Sequence, residues 1–321
     1  MRWTRHLVAW AAVLLAVLLP EGRAAAQSCI VPAITYTPIF QGVALENFPV
    51  TCANPSDAST VHVIRVDLAQ PGVALVALAA GTPPNSARTL LPSQALMAQH
   101  LQVAVNANLF TGCCQYDGPA ATRTLGLAIG DGMTWSNVQA NLPDPPPPPG
   151  DFLTSLIVAH GAASIQTLGP TALLPPDTAL AVTGSHLIVS GGAGIAPGSD
   201  PHCTTKACAD WFDRNARTLL GLSKSQTMLF LVAVDGGKSS TGSAGVTLRQ
   251  AGIILAALGA DAGINLDGGG STTMVQQGAN GAVFINEPSD WQSPCTVVVV
   301  QGVSCERYVA FGLAVQAPPL Q

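Results

Sequence analysis

The first half of the chain reads mostly as strands. Val61 to Leu68 is β-branched with some alternation, and Val73 to Ala79 repeats the pattern after Pro71-Gly72. Thr89 to Leu101 carries Leu90, Leu91, Leu96 and Met97 and is expected as a helix. Gln102 to Val105 is a short expected strand that runs into Asn106-Ala107-Asn108-Leu109-Phe110. Leu180 to Val189 is a further apolar strand, ending at Ser190-Gly191-Gly192. Met228 to Val234 is almost continuously apolar, the pattern of a strand buried on both faces. Thr247 then caps an expected helix with apolar positions Leu248, Ala251, Ile254, Leu255 and Leu258, and Gly259 stands where a helix-ending glycine belongs. Ala262 to Leu266 is another short apolar strand.

The order in this second half is strand, Asp235-Gly236-Gly237, helix, strand, Asp267-Gly268-Gly269-Gly270-Ser271. A strand–helix–strand unit joins parallel strands by a right-handed crossover, so both strands end at one edge of a sheet. Asp235 and Asp267 are then expected to face one another across a glycine-lined rim, the place where open sheets bind ligands. A single Asp-Gly pair is an ordinary turn. Two at matching strand ends, one extended to GGGS, point to a site. The fold class expected is α/β in the mixed α+β sense: one large twisted mixed β-sheet flanked by helices, in a single main domain.

The ends of the chain add a compartment. Arg2, Arg5 and His6 precede an apolar run from Leu7 to Leu19, and Ala24-Ala25-Ala26 forms a cleavage-type motif before Gln27. Residues 1–26 read as a signal peptide, because the apolar run is shorter than the ~20 residues a spanning helix needs. The protein is expected to be secreted or periplasmic, cut after Ala26, with no membrane span afterwards. All eight cysteines lie beyond that point. In an exported chain they read as disulfides, with Cys29–Cys52, Cys203–Cys208 and Cys295–Cys305 as local pairings and the adjacent Cys113 and Cys114 bridged to each other or elsewhere. Sequence leaves that connectivity open. The domain plan is a disulfide-linked extension over 27–60 and a main domain over 61–316, into which the proline run of 142–150 is inserted as a stiff surface loop.

Charged residues make up 10% of the chain, against about 25% in an average soluble domain. With 48% hydrophobic residues this is a chain that folds. The net charge is −5, and −7 once Arg2, Arg5, Arg23 and Glu21 are removed, with no basic run to meet a nucleic acid. No GxSxG, HExxH, GxxxxGK[ST] or GxGxxG occurs, which disfavours elbow-type hydrolases, zinc proteases and nucleotide folds. His202, Cys203 and Cys208 fit zinc only loosely, and no metal or cofactor is expected. His62, His100, His160 and His186 sit in no triad spacing and are expected to be structural.

The stretch from Arg214 to Val275 carries RNARTLLGLS, LFLVAVDGG, TLRQAGIILAALGA and GINLDGGGSTTMV. It resembles the phosphodiester glycosidase domain, the family of a lysosomal enzyme that removes N-acetylglucosamine from a sugar-1-phosphodiester. Weaker likeness, through Asn106 to Phe110, Ser190-Gly191-Gly192 and Glu306-Arg307, extends it over roughly residues 60–315. Three positions depart from the pattern. Gly237 stands where the family often has the Arg of DGR, with Lys238 as the neighbouring candidate substitute. Gln250 replaces an acidic residue, and NANLF replaces an NGGFF-like turn.

The resemblance implies an exported glycan hydrolase acting on a glycosyl phosphodiester. Phosphate leaves readily, so the carboxyl pair of ordinary glycosidases reduces to a carboxylate that attacks or activates water. Asp235 and Asp267 are the candidates. Arg217 with the backbone of Gly268, Gly269, Gly270, Ser271 and Thr272 is expected to hold phosphate, with Lys238 beside it. Asn106 and Asn108 are expected to hold the sugar. The alternative class is a non-catalytic glycan-binding module of the same fold. A metal-dependent phosphodiesterase, with both Asp residues on a hard cation, is a thinner third reading.

Overall fold

The computed structural model describes residues 29–52, 58–84, 86–112, 118–138, 154–169, 171–195, 209–237, 242–290, 299–300 and 304–321. The expected signal peptide, the proline loop of 142–150, Cys113, Cys114, His202, Cys203, Cys208, Lys238 and Cys295 lie outside the described residues. Among the described residues no helix is long and apolar enough to cross a membrane.

The described strands form a nine-stranded, an eight-stranded and a five-stranded sheet and one two-stranded ribbon. Every described pairing is antiparallel, which corrects the expectation of a mixed sheet. Helices are sparse: Pro92–Ala98, the single turn Ala209–Phe212, and Leu248–Ala257.

One core is shared by all three sheets. Ile64, Leu220 and Leu231 come from the nine-stranded sheet, Val105, Phe311 and Leu313 from the eight-stranded, and Trp135, Leu156 and Val182 from the five-stranded. The other face of the nine-stranded sheet is covered by the Leu248–Ala257 helix, whose Leu248, Ala251, Ile254 and Leu255 pack on Phe230, Val232 and Val234. The Met228–Val234 strand therefore sends Leu229, Leu231 and Ala233 into one core and Phe230, Val232 and Val234 into the other. That is why its sequence shows no alternation. Each such large side chain contributes about 1.5–3 kcal/mol by leaving water.

Glycines set the helix-to-sheet distance. A Cβ on Gly252 would lie 2.4 Å from the carbonyl oxygen of Ile188, and one on Gly263 would lie 2.4 Å from a Leu255 methyl. The helix begins with a reciprocal cap: Thr247 Oγ1 accepts from the backbone N–H of Gln250 at 3.2 Å, and Gln250 Oε1 accepts from that of Thr247 at 3.0 Å. It ends before Gly259, at φ +103°.

Three local expectations shift. The helix expected over Thr89–Leu101 spans only Pro92–Ala98, because Leu90 is held by backbone bonds to Val309 and Pro92 is suited to a first helical turn. The expected Leu180–Val189 strand is two strands, Thr178–Thr183 and His186–Ser190, broken at Gly184, where a Cβ would lie 2.6 Å from the carbonyl oxygen of Asn265. Residues 43–52, placed in an N-terminal extension by sequence, pair along their length with the Ala58–Asp67 strand. The Cys29–Cys52 disulfide is formed and Cys305 is also disulfide-bonded.

Candidate functional site

The crossover that positions the site differs in one respect from expectation. Met228–Val234 and Ala262–Asn265 do run in the same direction, but they are not neighbours: Arg217–Leu222 lies between them, antiparallel to both. Asp235 and Asp267 still emerge at one edge, two strand spacings or roughly 10 Å apart at the backbone. Arg217, paired with Val234, starts the middle strand at that same edge. The rim is tightly knit. The backbone N–H of Gly269 donates to Ala216 O at 2.8 Å, and a Cβ on Gly236 would meet Ala216 N and Gly245 Cα at 2.6 Å.

The two carboxylates sit in unlike surroundings. Asp235 is 1% exposed. Its Oδ1 accepts from the backbone N–H of Glu287 at 3.1 Å, and its Oδ2 meets His62 Nε2 at 2.9 Å. His62 Nδ1 in turn lies 2.8 Å from the side-chain amide of Asn47. Asn47, His62 and Asp235 thus form a hydrogen-bonded chain that runs from an exposed amide through a buried imidazole to the rim. Asp267 is partly exposed. Its Oδ1 accepts from the backbone N–H of Gly268 at 3.0 Å. Its carboxyl nevertheless lies deep among protein atoms, and that burial pushes it up to about 6. The Ser271 hydroxyl, the Arg307 guanidinium and the Gly268 N–H pull the other way.

Arg307 completes this end of the site. Its Nε donates to Asp290 Oδ2 at 2.7 Å, and Nη1 reaches Ser271 Oγ at 3.4 Å. Gly270 makes the approach feasible, since a Cβ there would lie 2.3 Å from Arg307 Nη2 and 2.8 Å from Asp290 Cβ. Next to it, Glu306 is buried and accepts at Oε1 from the backbone N–H of Ser93 at 2.8 Å and at Oε2 from the Ser93 hydroxyl. Burial pushes the Glu306 carboxyl up to about 7, with the two Ser93 bonds opposing.

The remaining expected residues fall into place as follows. Asn106 is wholly buried; its Nδ2 donates to the carbonyl of Asp267 at 2.7 Å, while its Oδ1 accepts from Thr218 Oγ1 and from the backbone N–H of Thr273. Asn108 is wholly buried and donates to Leu125 O and Leu127 O. Amides so enclosed have no surface to offer a sugar; Asn106 braces the Asp267 rim, and Asn108 braces the backbone of Leu125 and Leu127. Arg217 is buried, and its Nε and Nη2 donate to the carbonyls of Val246 and Asp213. Of the glycine-rich turn, the N–H groups of Gly268, Gly269, Ser271 and Thr272 are bonded to Asp267 Oδ1, Ala216 O, Gly268 O and Gly269 O. Gln250, the departure from an acidic residue, serves the helix cap, a task Glu and Gln perform alike.

Sequence reasoning missed His62, Asn47, Glu287 and Asp290. His62 and Asp235 are 173 positions apart, and Asn47 and Glu287 carry no motif. Only Glu306-Arg307 had a signal, as the start of the weakly matching last strand.

Comparison with known proteins gives the family and the fold. A family model described as phosphodiester glycosidase matches residues 150–316. Among curated protein sequences none matches. Among solved structures, the chain is similar to the zebrafish N-acetylglucosamine-1-phosphodiester alpha-N-acetylglucosaminidase catalytic domain auto-inhibited by its pro-peptide. The TM-score is 0.63 at 20% identity, over 88% of this chain and 87% of that one. A putative exported protein from Burkholderia pseudomallei gives 0.54 at 16%, over 81% and 74%. A hypothetical protein from Synechocystis gives 0.53 at 14%, over 89% of this chain and 64% of that one.

Proposed function

Because the chain belongs to the phosphodiester glycosidase family, we propose that it is an exported hydrolase that cleaves a glycosyl phosphodiester at Asp267. The observation that carries the reading is a partly exposed residue, Asp267, whose carboxyl feels the charge of the Arg307 guanidinium seated against Gly270 and Asp290. The Cys29–Cys52 disulfide fits an oxidising compartment.

In this reading the ionised Asp267 either attacks the sugar C1 or takes a proton from the water that does. The C1–O bond breaks, and its electron pair leaves on the phosphate; where Asp267 itself attacks, water then hydrolyses the glycosyl ester to free the sugar and the carboxylate. Phosphate is a weakly basic leaving group, so no strong acid is needed opposite. Arg307 and the Ser271 hydroxyl stabilise the charge that develops on it. Arg217 braces the rim through the Val246 and Asp213 carbonyls and adds a buried positive charge behind it. Asp235, with both oxygens engaged, is a positioning residue: it fixes Glu287 and, with His62 and Asn47, the end of the Met228–Val234 strand. Asn106 and Ala107 hold the Asp267 backbone from the opposite sheet.

The test is hydrolysis of a panel of sugar-1-phosphodiesters, N-acetylglucosamine first, by the 27–321 protein and by Asp267→Asn. Release of free sugar by the parent alone supports the reading. Binding of the panel by folded parent protein without turnover replaces it with the glycan-binding module.

A further inference from the structure

A second polar concavity lies away from the rim. It is a pocket of about 500 Å³ walled by Gly81, Thr82, Arg88, Thr111, Gly112 and Arg123 among others. It is built by the far strands of the eight-stranded sheet. Arg88 pairs with Ala121 across the Ser86–Arg88 and Ala121–Thr124 strands, so Arg123 is its diagonal neighbour, with Thr111 opposite Arg123. Burial alternates here: Ala87 and Thr122 point inward, while Arg88 and Arg123 are both exposed. The two guanidiniums therefore share one face.

Like charges at diagonal positions of a sheet repel unless something negative lies between them. Among the described residues no carboxylate pairs with either arginine. Residues 68–116 contain no Asp or Glu, and the next acid, Asp117, lies outside the described residues. Arg88 is steadied by an Nη2 bond to Pro119 O at 2.8 Å, and Thr82 and Thr111 put hydroxyl groups in the wall. Two arginine forks with hydroxyl donors are chemistry for an oxyanion.

The pocket also has a fixed relation to Asp267. The Ala74–Thr82 and Val103–Asn106 strands both run antiparallel to Phe311–Gln316, so Thr82 and Asn106 lie at the same end of the sheet. Ala107 there accepts from the backbone N–H of Asp267. Asn106 and Arg88 stand three strand spacings apart, roughly 14 Å along the sheet. A single sugar phosphate held at Asp267 does not span that distance.

We propose that this pocket binds a second anionic group, phosphate or carboxylate, carried by the same glycan whose phosphodiester is cleaved at Asp267. The preferred substrate class is then a repeating anionic glycan rather than a small glycosyl phosphodiester. That last step rests on the hydrolase reading; anion capture by the pocket does not.

Two measurements separate them. Titration of the 15N-labelled parent with inorganic phosphate, and separately with glucuronate, should move the Arg88 and Arg123 Nε–H signals and show which oxyanion is preferred. Arg88→Gln/Arg123→Gln should weaken that binding about tenfold per arginine, the loss of one charge-assisted bond each. Both side chains are exposed, so its melting temperature should match the parent's. In kinetics, the parent should show a lower KM for substrates of several anionic repeats than for one. The double variant should lose that advantage with kcat unchanged on the short substrate. Unmoved arginine signals, or unaltered binding in the double variant, overturn the proposal. Moved signals with no turnover of any substrate leave the pocket standing and reject the hydrolase reading alone.

Discussion

Two Asp-Gly-Gly turns leave the same sheet at the same edge, and they meet different surroundings. At Asp235 the carboxylate is sealed between His62 and the Glu287 N–H. At Asp267 the residue is partly exposed, its carboxyl is raised by burial, and a guanidinium that only a glycine lets in lies within electrostatic reach. A motif thus marks where a carboxylate emerges, whereas the elements packed around it decide which partners that carboxylate meets.

The sharpest way to break the comparison is to exchange each Asp for Asn. Asp267→Asn should lower kcat by about 10³-fold, the scale of a lost base or nucleophile, and leave thermal stability near the parent's. Asp235→Asn should instead cost about 1–3 kcal/mol in urea unfolding, since it weakens a buried bond to His62. If Asp235→Asn proved folded, stable and inactive, the roles assigned here would be reversed. Gly270→Ala tests the cation's access: its Cβ displaces Arg307 or Asp290, and KM should rise about tenfold with the fold retained.

The pH profile sharpens the same contrast. Asp267 must be ionised to attack or to accept a proton, so kcat/KM should rise as pH increases through about 6. Arg307→Met removes the charge that favours the carboxylate, and the rise should move to higher pH. A profile that falls through 6 would make Asp267 a proton donor. Glu306 is the control, a buried carboxyl outside the chemistry. Its proton is held more tightly folded than unfolded, so it lowers stability as pH climbs from about 4.5 to about 7. Glu306→Gln should melt near the parent at pH 5 and above it at pH 8, with activity unchanged.

The hydrophobic pattern by itself determined much of the second half. Met228–Val234 was readable because a strand with two buried faces has no polar positions, and Thr247 and Gly259 because capping and helix ending are local chemistry. The pairing of two Asp-Gly turns at one edge followed from the strand–helix–strand order. Tertiary structure alone decided the rest. It inserted Arg217–Leu222 between the two site strands, since strand order in a sheet is set by which apolar faces fit together and leaves no periodic trace. It buried Asn106 and Asn108, whose polar names suggested a ligand, because the backbone carbonyls of Asp267, Leu125 and Leu127 needed internal partners. It also brought His62 against Asp235 and Arg307 within electrostatic reach of Asp267, juxtapositions of residues far apart in sequence that only a closed core can make.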